Sequence, residues 1–240
     1  MRAGTTMTES FGARLAAVTA RRGRLCVGLD PHERIVHDWG LAHDAAGIET
    51  MARRTVEALG EQVAVFKPQS AFFEVFGPAG LAALQRVLGD IAQAGALSIL
   101  DVKRGDIGST MGAYARVTLA DGAPLAADSI TVSPYLGFES LRPAVDLAHG
   151  TGRGLFVLCR TSNPEGGDVQ LADAGGRSVA QRVLDAARAE NDRTGLDDIG
   201  LVIGATRESA GVDLPHLSRA QYSYGTHVPI GSMEAGDLIF

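Results

Sequence analysis

Short apolar runs alternate along the chain with stretches of helical period. Runs rich in Val, Ile, Leu and Phe, without polar alternation, fall at Leu25–Leu29, Val63–Phe66, Leu97–Val102, Ser129–Ser133, Leu155–Cys159 and Ile199–Ile203. Such runs predict parallel strands covered on both faces. Between them, Phe11, Leu15 and Val18 share a helical face that Gly23 stops, and Ile48, Met51, Thr55, Val56 and Leu59 do the same ahead of Gly60. Leu81, Leu84, Val87, Leu88 and Ile91 make the clearest stripe, opened by Pro78 and closed by Gly95. A further helix is predicted from about Ser178 to Glu190. Repeated strand–helix units without a composition break predict one α/β domain over residues 11–240, behind a flexible tail at residues 1–10. A closed (β/α)8 barrel is the leading architecture, and an open doubly wound sheet the second.

In both architectures reactive residues sit at the C-terminal ends of the strands. Those ends read Asp30-Pro31-His32, Lys67-Pro68-Gln69, Asp101-Val102-Lys103, Ser133-Pro134-Tyr135, Arg160-Thr161-Ser162 and Gly204-Ala205-Thr206. All turn polar at the same place, which predicts a shared polar mouth. The third is the densest: the apolar run Leu97 to Leu100 leads straight into Asp101, Lys103, Arg104 and Asp106. Strand residues two apart share a face, so Asp101 and Lys103 point the same way, and Lys67 ends a different strand in a similar position. Alternating signs relieve the cost of burying charge there, for a catalytic network and a structural salt bridge alike. Asp106 lies between Gly105 and Gly108 in a tight turn, where its carboxylate can turn inward, face water or reach a neighbouring subunit. Ser109 or Thr110 reads as the cap of the next helix.

Composition narrows the classes. An apolar content of 45% with 30 glycines fits a folded, loop-rich protein of 240 residues. The net charge of −6 comes from interspersed charges with no basic block, which argues against nucleic-acid binding. No apolar stretch approaches the roughly 18 residues of a membrane span. The start, MRAGTTMTES, lacks a hydrophobic signal core, so the expected location is the cytoplasm. Cys26 and Cys159 both end apolar runs and read as buried thiols. His32, His37 and His43 do not share a helical face, and no metal or cofactor motif is found. "RTSNPEGGDVQ" reads as a mobile loop and a candidate lid, and the glycine-rich "ADAGGRS" as a plain loop.

"DVKRGDIGST" resembles the Asp-x-Lys-x-x-Asp signature of the orotidine 5′-phosphate decarboxylase family. "LCVGLDP", "AVFKPQSAFFE", "SITVSPYLGFESL" and "LFVLCRTSNPEG" are similar to successive blocks of the family's longer bacterial branch, over about residues 11–206. Related sugar-phosphate enzymes share the Asp-x-Lys-x-x-Asp pattern but generally carry an acidic residue where this chain has Lys67. The resemblance implies a (β/α)8 barrel that decarboxylates a pyrimidine nucleotide to UMP without a cofactor. It implies a catalytic network of Lys67, Asp101, Lys103 and Asp106, with Asp106 donated across a homodimer interface. Asp30 and Lys67 would contact the ribose, Thr110 the partner's ribose, Ile107 the pyrimidine from across the interface, and Ser133 the base.

The last stretch departs from the family. Six strands are read by Thr206, and the family continues with two more, where backbone amides and an Arg grip the phosphate. "HVPIGSMEAGD" faintly echoes the seventh strand, but the Gly-Arg motif of the eighth is absent from the divergent tail at 207–240. Truncation, a frameshifted end or a divergent subgroup each produces this pattern, and the barrel is then incomplete at strands seven and eight. Two rival readings stand beside the decarboxylase. One is a catalytically impaired remnant that keeps the dimer or nucleotide-binding fold; the other is a related metal-dependent sugar-phosphate decarboxylase, which Lys67 opposes.

Overall fold

The computed structural model describes residues 9–203. The expected tail up to residue 8, strands seven and eight and the phosphate grip lie outside the described residues. In chain order the elements are α1 (Phe11–Arg22), β1 (Cys26–Leu29), α2 (Glu33–Asp38), α3 (Ala45–Leu59), β2 (Val65–Pro68), α4 (Ala71–Glu74), α5 (Gly77–Gln93), β3 (Leu97–Arg104) and α6 (Gly108–Leu119). They continue with β4 (Ser129–Val132), a 3-10 turn (Phe138–Leu141), α7 (Arg142–Thr151), β5 (Gly154–Arg160), α8 (Gly166–Gln170), α9 (Val179–Thr194) and β6 (Ile199–Ile203). Local chemistry sets several ends. Ser10, Asp44 and Ser178 accept the backbone N–H of Ala13, Gly47 and Gln181 and so cap α1, α3 and α9. Gly195 closes α9 with φ 69°, a left-handed turn that glycine adopts without strain.

All five strand pairs are parallel, and the strands lie in chain order β1-β2-β3-β4-β5-β6. A doubly wound sheet reverses direction at a switch point. No reversal occurs among the described strands, so their order is that of a (β/α)8 barrel, and the open-sheet alternative is set aside.

Side chains leave each strand in two columns, because successive residues point to opposite faces. The outer column, including Phe66, Leu100, Ile130, Val132, Leu155 and Val157, is buried against helical residues such as Ile48, Leu84, Val87 and Ile91. The inner column begins with Val65, Leu97, Ile99 and Phe156, which meet Phe11, Leu15 and Val18 of α1. The first helix therefore plugs the N-terminal end of the barrel. Phe11 meets Phe156 edge to face, with centroids 5.9 Å apart. The Asp198 carboxylate accepts the Gly12 N–H at 3.0 Å, and Arg14 pairs with Asp128 and donates to the Gly152 carbonyl.

The Phe11 ring lies so close over Gly154 that a Cβ there would overlap it. Gly154→Ala is therefore expected to destabilise the protein by about 1–3 kcal/mol, the usual cost of overpacking. Thermal unfolding should show a midpoint lower by roughly 3–9 °C. An unchanged midpoint would mean that α1 does not seat on β5 in this way.

Three local expectations are corrected. The segment read as a loop after β5 contains α8, latched by Gln170, which accepts the Thr161 N–H at 2.9 Å and donates to its hydroxyl at 2.7 Å. The helix cap after β3 is Ile107, in extended conformation and without a side-chain bond, so Ser109 and Thr110 fall in the first turn of α6. Cys159 is buried, its thiol donating to the Ala180 carbonyl, but Cys26 is exposed. It opens β1, whose described strand neighbour is β2 alone, so little covers it.

Candidate active site

The inner column changes character along its length. On β3 it runs Leu97, Ile99, Asp101: two apolar residues at the plugged end, then a carboxylate at the mouth. On β2 it runs from Val65 to Lys67. The period of two that builds the inner core thus delivers the charges to one place.

Asp101 is the hub and is only 6% exposed. Its Oδ2 accepts from Lys67 Nζ at 3.0 Å and Gln69 Nε2 at 3.1 Å, and its Oδ1 from Lys103 Nζ at 2.6 Å and Thr131 Oγ1 at 2.7 Å. A carboxylate offers about four acceptor sites, and here all are used. Burial pushes the Asp101 carboxyl up. The Lys103 hydrogen bond, the Lys67 charge and the Thr131 hydroxyl outweigh it and hold Asp101 below the ordinary carboxylate value. Burial likewise pushes Lys67 toward the neutral amine, but the charges of Asp101 and Asp30 and the bond to Asp101 leave its pKa above the ordinary lysine value. Around neutral pH Asp101 is an anion and Lys67 a cation.

Lys103 gets there by an irregular route. Pairing of β3 with β4 runs Ile99↔Ser129 and Leu100↔Ile130, then resumes at Arg104↔Val132. Asp101, Val102 and Lys103 therefore stand against the single residue Thr131, a bulge that re-aims side chains. Lys103 has φ 47°, the only positive value for a non-glycine among the described residues. That conformation costs about 1–2 kcal/mol for a residue with a Cβ. Its N–H donates to Thr131 Oγ1 at 2.9 Å.

The neighbouring charges divide by direction. Arg104 turns away from the hub to Glu74 at 2.8 Å, with its guanidinium 5.6 Å from the Tyr114 ring centre. Glu74 also accepts from Ser70 at 2.6 Å. Asp106 stays clear of the hub: its Oδ1 accepts the N–H of its own neighbour, Ile107, at 2.8 Å. Gly105, before it, passes so close to Ser133 that a Cβ would overlap the Ser133 carbonyl oxygen. Ser133 directly follows β4 and donates its N–H to the Arg104 carbonyl at 2.8 Å. Asp30 follows β1, half-buried, its carboxylate folded over Gly28. Ile107 is 62% exposed, and Thr110 is exposed in the first turn of α6.

Thus Lys67, Asp101 and Lys103 meet, Asp30 lies near enough to act on Lys67, and half-buried Asp106 with exposed Ile107 and Thr110 forms a separate rim. Two hub residues escaped the sequence reading. Gln69 stands two positions after Lys67, a signal the period of two does carry. Thr131 carried none, because its place opposite the bulge depends on strand register. His32 packs on Phe72 and His43 on Phe76, with ring centres 4.2 and 5.2 Å apart. No group of three or more His, Cys, Asp or Glu side chains among the described residues is placed to hold a metal.

Comparison with known proteins points to one family. The profile of the orotidine 5′-phosphate decarboxylase / HUMPS family matches residues 23–220. An orotidine 5′-phosphate decarboxylase of Streptomyces coelicolor is 55% identical over 200 residues, covering 82% of this chain and 72% of that one. One from Salinispora arenicola is 53% identical over 208 residues, covering 86% and 75%. Among solved structures, one of the same enzyme name from Streptomyces avermitilis superimposes with a TM-score of 0.81 at 54% identity, covering 86% of this chain and 73% of that one. The Leishmania donovani OMP decarboxylase gives 0.68 at 40%, covering 82% and 71%.

Proposed function

Since the chain belongs to the orotidine 5′-phosphate decarboxylase / HUMPS family, we propose that it converts orotidine 5′-phosphate to UMP in pyrimidine biosynthesis, using its own side chains and no cofactor. The observation that carries this reading is the Asp101 carboxylate clamped between two ammonium groups at adjoining strand ends.

Loss of CO2 from C6 of the pyrimidine leaves the bonding electron pair on a ring carbon with no ready electron sink. Fixed cationic groups in a site screened from water oppose that cost most effectively. Lys103 is the group assigned here. Its ammonium stabilises the developing carbanion, gives a proton to C6 and recovers one from solvent. Asp101 lies beside the departing carboxylate and holds Lys103 in place, while Lys67 offsets the Asp101 charge. Asp30 and Lys67 bind the ribose hydroxyls, and Ser133 offers a hydroxyl to the base.

The remaining residues act across a homodimer interface. Asp106 completes the partner's network, Ile107 lines its pyrimidine pocket and Thr110 reaches its ribose. Two features support this. Asp106 makes no contact with the hub of its own chain. Ile107, Tyr114 and Val117 on one side, and Tyr135 and Leu136 after β4, expose large apolar surface of the kind that partners cover. The cytoplasm, where nucleotide precursors are made, is the proposed location. No helix among the described residues is long and apolar enough to cross a membrane.

Incubating the purified protein with orotidine 5′-phosphate and following the loss of orotate absorbance tests the reading. Turnover on the order of 1–10³ s⁻¹ is expected, unchanged by a chelator. Flat absorbance from folded protein would restore the remnant reading. Loss of activity to chelator would favour a metal-dependent relative.

A further inference from the structure

The bulge in β3 raises a question that the charge network does not answer by itself. Three residues, Asp101 to Lys103, face one residue of β4. Regular pairing cannot satisfy the backbone there, and an unpaired buried N–H is costly. Lys103 also sits in a left-handed conformation that nothing in its own side chain favours. Some group must hold it.

We propose that Thr131 is the positioning residue for Lys103, its one hydroxyl tying the Lys103 backbone to the carboxylate that its ammonium must meet. The hydroxyl donates to Asp101 Oδ1 at 2.7 Å and accepts the Lys103 N–H at 2.9 Å. The same Oδ1 accepts from Lys103 Nζ at 2.6 Å. A closed ring results: Thr131 hydroxyl, Asp101 oxygen, Lys103 ammonium, Lys103 side chain and backbone, and Thr131 again. Both ends of Lys103 are thereby referred to one buried atom. Thr131 is 3% exposed, and its flanking residues Ile130 and Val132 are fully buried in the outer core, so the hydroxyl cannot drift. It sits on the one strand that faces the bulge, and its donor and an acceptor site are both in use.

Valine keeps the branched shape and removes both bonds. Serine keeps both bonds and removes only a methyl. The contrast separates positioning from packing. This assignment rests on the decarboxylase reading, so the test has an arm that does not need turnover.

Thr131→Val is expected to lower kcat about 10²-fold with KM within about 3-fold, because a small misplacement of a reacting group costs rate more than binding. Thr131→Ser is expected to stay within about 3-fold of the parent in both. In the second arm, amide hydrogen exchange resolved at Lys103 by NMR should run about 10-fold or more faster in Thr131→Val and remain parental in Thr131→Ser. Parental kcat in a folded Thr131→Val overturns the assignment. So does a folded Thr131→Ser that is as slow as valine, or a Lys103 amide that exchanges equally slowly in all three proteins. Should valine prevent folding, Thr131→Ala takes its place and the serine comparison still decides. If the parent itself releases no CO2, the functional reading fails, and the exchange arm continues to judge Thr131.

Discussion

Lys103→Ala is expected to lower decarboxylation by about 10⁴-fold or more while the fold survives. Two contributions vanish together: electrostatic stabilisation of the C6 carbanion, typically about 10²–10³ from one fixed donor, and proton delivery, about 10²–10⁴. Among the described residues no other cation of the same chain stands ready to replace it. Lys67 is bound to the opposite oxygen of Asp101, and Arg104 is turned away to Glu74. The fold has little reason to fail, because the Lys103 side chain is 45% exposed and fills no part of either apolar core. Alanine keeps the Cβ, so the left-handed position costs what it did before, and the backbone hydrogen bond to Thr131 is untouched. Orotate absorbance measures the rate, and thermal unfolding, expected within about 2 °C of the parent, checks the structure. Turnover near the parental rate would remove Lys103 from the chemistry.

Asp106→Ala should be nearly as damaging, for a reason that belongs to the assembly. Among the described residues of its own chain Asp106 bonds only the adjacent amide, so local loss of that contact is of small consequence. If the carboxylate completes the partner's network, each site takes Lys103 from one subunit and Asp106 from the other. Mixing Asp106→Ala with Lys103→Ala subunits, both inactive alone, then restores one whole site in every hybrid dimer. Random exchange of equal amounts makes half the dimers hybrid, so about a quarter of parental activity should return. Activity that stays absent after exchange, verified by a tagged subunit, would confine Asp106 to its own chain. Activity of Asp106→Ala near the parental level would remove it from the network altogether.

The strands were legible because each is an apolar run ending in a polar residue, and a parallel strand buried on both faces has no other way to be written. The helix stripes were legible for the same reason, as were the stops at Gly23 and Gly60. Short elements were not: α2, α4 and α8 are four to six residues long, too brief for a helical period to repeat. The placement of Asp101 beside Lys103 followed from the period of two, though by a route that the period does not describe. A regular strand would align both side chains; here a bulge and a left-handed residue do it. Sequence spacing also put Arg104 in the cluster, and packing against Glu74 and Tyr114 took it out.

The sequence by itself determined the parallel α/β organisation, the polar mouth and the residue types gathered there, because periodicity and charge are written residue by residue. Only the tertiary structure decided which strands adjoin, that Asp101 rather than a lysine is the hub, and that Thr131 and Gln69 complete it. Those facts depend on register between distant segments, a quantity fixed by the packing of whole strands against one another and by no single stretch of the chain.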